Sequence, residues 1–331
     1  MSMHVLFLVT SALGFMTLSK VLLSFCTWVW VTFLRPSKNL KAYGSWAMVT
    51  GSTDGIGKAL AFELASQGLN LILVGRSPTK LKDTTNYLHE RYGCRVMVKS
   101  VVIDFSNDPL DVIYEKIKQG IDGLDVGILV NNVGMTYPWP RYIHEVASTM
   151  IDDVLKVNLK GTTWVTRAVL PLMLKKKKGA IINVGSGSTG ILPSFPLYAI
   201  YSSTKAYIYE FSRSLHVEYK QHGIDVQCQI PLLVRTKMVP LRLSSFFIPT
   251  PEVYSRACMR WIGYEPFSVP YWRHSLQATI LRALPEACIA QYLLRFFFKM
   301  HKIEEKRLKK EEDMKKDSQM LYKQMHNGTA R

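Results

Sequence analysis

From Tyr43 onward the chain alternates short apolar runs with longer amphipathic stretches. The runs Trp46–Val49, Leu71–Val74, Val98–Ile103, Gly127–Val130, Ala180–Val184 and Ile224–Cys228 are four to six residues long and read as buried parallel strands. Between them, residues 56–67, 78–92, 108–119, 148–174 and 202–222 carry apolar positions at helical spacing. Strand and helix in strict alternation call for a doubly wound parallel α/β sheet of the Rossmann type, with helices on both faces. No internal repeat interrupts the pattern. The lysine run Lys175–Lys178 ends a predicted helix, where cations complement the negative end of the dipole, and reads as a solvated cap.

The two ends differ from this middle. Between Val5 and Leu34 the only charged residue is Lys20. About 20 apolar residues suffice to span a bilayer. Arg35, Lys38 and Lys41 follow the run, while His4 is the only basic candidate before it, so the positive-inside rule places the C-terminal side in the cytosol. Trp28 and Trp30 suit the interface at that end. Lys20 either snorkels or divides the run into two interfacial halves. A cleaved signal peptide fits less well: the run is too long, and neither a basic n-region nor a small-residue cleavage site is evident. Residues 1–43 are therefore expected to form an anchor and basic linker, 44–298 one α/β domain of about 255 residues, and 299–331 a charged tail rich in Lys and Glu.

Composition narrows the chemistry. The five cysteines lie far apart and form no C-x-x-C pair, which argues against a disulfide framework or a structural zinc and fits a reducing, cytosol-facing setting. The formal charge of +17 suggests an anionic partner. Nucleic acid is not expected, since neither zinc-finger spacing nor an RNP-like aromatic run is present. A phosphate-bearing cofactor or substrate, an anionic membrane lipid surface, or a merely solvated basic surface would each account for the excess.

After the first strand comes Thr50-Gly51-Ser52-Thr53-Asp54-Gly55-Ile56-Gly57, and a helix with Ile56, Leu60 and Leu64 on one face. Glycines permit the tight turn, and the helix N-terminus offers free N–H groups to a pyrophosphate. The second strand ends Val74-Gly75-Arg76. An acidic residue there would hold a ribose 2′-hydroxyl; Arg76 instead offers a guanidinium fork to a 2′-phosphate, which selects NADPH. Further along, Tyr201 and Lys205 are four apart and share a helical face. The ammonium is expected to lower the phenol pKa, so that Tyr201 passes a proton to a carbonyl oxygen. The strand ending Asn183-Val184-Gly185-Ser186 brings a serine hydroxyl to the same place. Tyr198 and Tyr207 have no lysine four residues later and read as packing residues.

These motifs together resemble the short-chain dehydrogenase/reductase family. The glycine loop matches T-G-x-x-x-G-x-G, and Asn131-Asn132-Val133-Gly134 resembles the N-N-A-G element with Val133 in place of alanine. Asn158 matches the helix asparagine that holds a water in the family's proton relay, and Tyr201 and Lys205 match its active-site pair. The resemblance implies catalytic roles for Tyr201, Lys205, Ser186 and Asn158. It implies cofactor contacts from Gly51 to Gly57 and from Arg76, Asp104, Asn131, Lys205 and Thr236. The family's serine lies thirteen residues before the tyrosine, which is Ser188; by its place directly after the strand it is Ser186, which is preferred here with a two-residue longer loop. Both serines are candidate substrate-binding residues.

Within that family the chain is most similar to the membrane-bound 3-ketoacyl-CoA reductases of very-long-chain fatty-acid elongation, of plant type, and to related 17β-hydroxysteroid dehydrogenases. The segments carrying this are Leu34–Leu40, Tyr43–Ala47, Gly123–Leu129 and His216–Lys220. The resemblance implies reduction of a 3-ketoacyl-CoA at the endoplasmic reticulum membrane. A hydroxysteroid or other lipophilic ketone is the alternative substrate, and a non-enzymatic scaffold among elongase subunits the alternative role. A homodimer is compatible with it. Related proteins often end in a di-lysine retrieval signal. This chain ends Gly328-Thr329-Ala330-Arg331, so retention is expected to rest on another device.

In this family the loop Val234–Met238 covers nicotinamide and substrate. The aromatic residues of 241–275 (Phe246, Phe247, Trp261, Tyr264, Phe267, Tyr271 and Trp272) either wall an acyl channel or extend the core. Leu276–Phe298 either lies on the membrane or packs on the domain.

Overall fold

A computed structural model describes residues 3–238 and 246–327. It divides into two compact units, residues 1–38 and 39–331.

In the first unit, α1 (Met3–Val29) buries none of its side chains, and the chain runs on through a π-helical turn, Trp30–Leu34. Met3–Leu34 has a mean hydropathy of 1.9 and is long and apolar enough to cross a membrane. The helix passes Lys20 without a break. Its hydroxyls turn inward: Thr17 donates to Leu13 O and Ser24 to Lys20 O, which satisfies them without solvent.

The second unit begins earlier than the linker boundary expected at residue 43. Leu40 and Tyr43 are buried in the core of this unit, and the Tyr43 hydroxyl bonds Asp225 on a distant strand. The elements follow as β1 (Trp46–Thr50), α2 (Gly55–Ser66), β2 (Asn70–Gly75), α3 (Pro78–Tyr92), β3 (Val98–Val102), α4 (Leu110–Ile121) and β4 (Val126–Asn131). Then come α5 (Ser148–Leu155), α6 (Thr162–Lys175), β5 (Gly179–Val184), α7 (Ala199–Lys220) and β6 (Ile224–Gln229). The last elements are α8 (Pro251–Met259), β7 (Phe267–Ser268), α9 (Trp272–Ala283) and α10 (Glu286–Asn327).

The strands form one parallel sheet in the order β3-β2-β1-β4-β5-β6-β7. Alternation along each strand divides the core. Ala47, Val49, Leu71, Leu73, Ile128 and Val130 pack with α2, α3 and α8. Met48, Ile72, Val74 and Leu129 pack with α4 and α6 on the other face. The doubly wound sheet is thus as expected. Its order reverses between β1 and β4, which opens a crevice at their C-terminal ends, where ligands bind in folds of this kind.

Four features depart from the sequence expectation. Phe267–Ser268 adds a short seventh strand, too brief to carry a periodic signal. The stretch 148–174 is interrupted by a π-helical turn, Lys156–Gly161. No boundary falls at residue 298. Instead Leu284 and Pro285 separate α9 from α10, which runs on through the charged residues that follow. Finally, Lys176 is no solvated cap: its ammonium bonds Tyr43 O at 2.8 Å and pairs with Asp125, tying the end of α6 to the approach to β1.

Candidate active site

The glycine loop is built from its neighbours. Gly51 and Gly55 adopt φ of +64° and +52°, the left-handed region that favours glycine. Asn132, just past β4, donates its amide to Thr50 O at 3.0 Å and Gly51 O at 3.2 Å. Its backbone N–H and that of Val133 both donate to the Thr50 hydroxyl. A Cβ on Gly57 would run into the Asn132 amide and Gly51 O, so β4 and α2 can approach only through glycine. Ser52 is fully buried and donates to Val74 O, bracing the loop on β2. Asp54 caps α2 by accepting from Gly55 N at 2.8 Å and forms an ion pair with Lys237 at 2.7 Å. Burial works to raise its pKa, but the Lys237 contact and the Gly55 N–H outweigh it and hold the carboxyl below its usual range.

This arrangement fits a dinucleotide. The loop's carbonyls are drawn off by Asn132, which leaves the first turn of α2 to present N–H groups and the positive dipole end to a diphosphate. Arg76 is exposed directly after β2. Gly75 beside it is buried, and a Cβ there would sit 3.2 Å from Thr53. The acidic selector of NAD binders is absent from the strand end, and a cation stands in reach of a 2′-phosphate. Thr236 stands over the loop, its methyl 3.2 Å from where a Cβ on Gly55 would be.

Two expected cofactor residues are committed otherwise. The Asn131 amide is buried in the sheet, donating to Thr166 and to Asn183 at 2.8 Å each, so only its backbone remains to face a ligand. The Asp104 carboxylate accepts from Ser106 N and Asn107, organising the turn after β3. Burial opposes its ionisation, but those hydrogen bonds and the Arg76 charge keep its pKa low.

The reactive groups gather at the C-terminal ends of β4 and β5. The π-turn turns Asn158 inward; its Oδ1 accepts from Met135 N at 2.8 Å and its amide donates to Met135 O and to Thr204, each at 2.9 Å. Such turns are rare and recur at functional sites. A Cβ on Gly134 would lie 3.4 Å from Asn158 Oδ1 and 3.6 Å from Lys205 Nζ, so these groups converge on one point. Lys205 is buried and donates to Val184 O at 2.9 Å; burial lowers its pKa to about 8. Its Nζ is 5.9 Å from the centre of the Tyr201 ring.

Tyr201 corrects an expectation. Its pKa is raised, because burial of the phenol outweighs all else, and the opposing influence is the Ser186 hydroxyl rather than Lys205. Ser186 also accepts from Ser188 N at 3.2 Å and from the Ser188 hydroxyl at 3.0 Å. The two serines thus occupy different ranks: Ser186 stands by Tyr201, and Ser188, itself buried, stands behind Ser186.

The aromatic surroundings of Tyr201 come from the residues just before it and from α10. Phe195 is 6.4 Å from the Tyr201 ring and 4.8 Å from Phe297 of α10, and Tyr198 stacks on Tyr137 at 5.0 Å. Leu293 and Phe296 complete this cluster. Of the aromatics of 246–275, Tyr271 extends the core with α8, one of the two roles expected, and Phe267 stacks on Tyr209. Residues 241–245 of that stretch lie outside the described residues. Tyr198 packs as expected, whereas Tyr207 lies at the surface with Phe211. Asn132 was legible in its motif and overlooked as a loop brace. Lys237, Thr204 and Phe297 left no local signal, because their partners are distant in the chain.

A buried phenol, a hydroxyl beside it and a buried ammonium next to a dinucleotide loop can hold a carbonyl oxygen and give it a proton. Known proteins agree. The short chain dehydrogenase family matches residues 45–244. The very-long-chain 3-oxoacyl-CoA reductase-like protein At1g24470 of Arabidopsis thaliana is 47% identical over 287 residues, covering 85% of this chain and 91% of that one. The very-long-chain 3-oxoacyl-CoA reductase of Mus musculus is 40% identical, covering 76% of this chain and 80% of its own length. Among solved structures, a short-chain dehydrogenase from Sphingobium yanoikuyae in complex with NADPH superposes with a TM-score of 0.58 at 26% identity, over 65% of this chain and 83% of that one. The chain belongs to the short-chain dehydrogenase/reductase family and is an NADPH-dependent oxidoreductase.

Proposed function

We propose that this enzyme reduces a 3-ketoacyl-CoA to the 3-hydroxyacyl-CoA in very-long-chain fatty-acid elongation. The observation that carries the reading is the likeness to the Arabidopsis and mouse proteins along most of both chains. The apolar cluster of Phe195, Tyr198, Leu293 and Phe297 beside Tyr201 supports a lipophilic substrate.

The glycine loop, Thr236 and Arg76 would hold NADPH, which would supply the hydride when bound. The chain's own groups manage the oxygen. Ser186 and Tyr201 donate hydrogen bonds to the keto oxygen, and Tyr201 gives it the proton, so the C=O becomes CH–OH. Lys205, still largely protonated at neutral pH with its pKa near 8, stabilises the tyrosinate left behind. Asn158, locked by Met135 and Thr204, would hold a water near Lys205, from which the proton on Tyr201 is replaced.

Residues 3–34 anchor the enzyme in the endoplasmic reticulum membrane, with the catalytic unit in the cytosol. The support is the exposed apolar helix followed by Arg35, Lys38 and Lys41. Occupation of the sequon Asn327-Gly328-Thr329, whose last two residues lie outside the described residues, would overturn that orientation.

The test is NADPH oxidation by the full-length protein in membranes, with 3-ketoacyl-CoAs of several lengths against keto-steroids. Formation of the 3-hydroxyacyl-CoA with higher kcat/KM is the expected result. Turnover of the steroids alone would refute the reading.

A further inference from the structure

We propose that His274 is a positioning residue: it fixes both limbs of the segment between β6 and α8 and so holds Thr236 over the glycine loop. The proposal rests on NADPH occupying that loop, and on Thr236 touching it.

His274 lies near the start of α9, outside the residues the family match covers, and is fully buried. Both ring nitrogens are engaged by backbone. Nδ1 accepts from Leu232 N at 3.3 Å, and Nε2 lies 3.1 Å from Leu233 O and 3.0 Å from Phe247 O. Two carbonyls can only accept and an N–H can only donate, so the hydrogen resides on Nε2 and Nδ1 is bare. Protonating Nδ1 would set N–H against N–H. Burial holds the imidazole neutral, its pKa lowered to about 4. The ring stands edge-on to Tyr271 at 5.0 Å and near Tyr254 at 5.9 Å, which fixes its plane.

The three bonds join what the sheet cannot. β6 has ended at Gln229, and Leu232, Leu233 and Phe247 lie beyond it, outside the strands of the sheet. One planar, buried ring with an acceptor edge and a donor edge engages a backbone group of each. Its neighbour Arg273 reinforces the returning limb by donating to Phe246 O at 2.8 Å. The limbs are also joined by Arg235 N to Pro249 O at 3.0 Å. A few residues on from His274's contacts, Thr236 packs over Gly55 and Lys237 pairs with Asp54. On the path from side chain to backbone to glycine loop, only Val234, buried in the core, and Arg235, whose N–H bonds Pro249 O, lie between Leu233 and Thr236.

The experiment is NADPH titration by fluorescence on the full-length protein in detergent, with wild type, H274L, H274Q, T236V and the double variant H274L/T236V. Leucine keeps the volume and loses every hydrogen bond; glutamine keeps a donor for the two carbonyls. From the usual cost of unpaired buried groups, H274L should raise the Kd for NADPH about ten-fold and H274Q about three-fold. If His274 acts through Thr236, H274L should add less than about two-fold in the T236V background. A Kd for H274L equal to wild type would overturn the proposal, as would a penalty undiminished by T236V, which is the mark of general loosening. Should H274L fail to fold, an unchanged Kd for H274Q would overturn it alone. The readout uses NADPH only, so the identity of the ketone does not enter. Absence of NADPH binding by the wild type would instead defeat the cofactor site and this role with it.

Discussion

Two adjacent serines offer a sharp test of how the site works. Ser186 stands between Tyr201 and Ser188, accepting from Ser188 N at 3.2 Å and from the Ser188 hydroxyl at 3.0 Å. Both of those contacts arrive as donors, so the one Ser186 proton is left for the oxygen in front of it: the Tyr201 phenol here, and a substrate oxygen when one enters between them. Ser186→Ala removes a donor aimed at the oxygen on which charge develops. Losses of that kind reach about 10²–10³-fold in kcat. Ser188→Ala removes one neutral hydrogen bond between hydroxyls while its backbone N–H still reaches Ser186. A bond of that class contributes about 1 kcal/mol, or roughly five-fold. The two variants should therefore differ about 20–200-fold, with Ser186→Ala the slower. Initial rates of NADPH oxidation with a short 3-ketoacyl-CoA, at saturating cofactor, measure the difference. NADPH titration of each variant checks that the cofactor loop is intact. If Ser188→Ala is the inactive variant, or if Ser186→Ala loses less than about five-fold, the ranking drawn from the hydrogen bonds is wrong.

Tyr201→Phe should abolish reduction and leave the NADPH dissociation constant within about two-fold, since the hydroxyl serves the substrate oxygen; a large rise in that constant would contradict the assignment. Arg76→Glu should shift preference from NADPH toward NADH, read as the ratio of kcat/KM for the two cofactors, and an unchanged ratio would exclude Arg76 as the phosphate partner. Lys205 gives the pH dependence: burial lowers its pKa to about 8, so the charged form needed in the free enzyme is lost as pH rises through that value. The kcat/KM for NADPH should fall on the alkaline side of pH 8, and a flat profile to pH 10 would show that Lys205 does not titrate there.

What the sequence determined by itself is local. Six strands, the glycine loop and the Tyr201/Lys205 face follow from periods of two and 3.6, from glycine's access to left-handed backbone, and from four-residue helical spacing. Each is encoded within a few residues, so each could be read along the chain. The unbroken apolar character of Met3–Leu34 is of the same kind. Tertiary structure decided what depends on residues far apart. It set Ser186 beside Tyr201 and Ser188 behind it, where spacing alone allowed either. It brought Phe297 from α10 to Phe195, giving Tyr201 an apolar wall that no nearby residue announces. It made Lys176 a tie to Asp125 and His274 a clamp on Leu232, Leu233 and Phe247. It also reversed the expected shift at Tyr201, because a pKa answers to the atoms packed around the group, and burial there outweighs the Ser186 hydroxyl beside it. Desolvation and hydrogen-bond partners are properties of the packed volume. No window of sequence contains that volume before the sheet has brought its distant parts together.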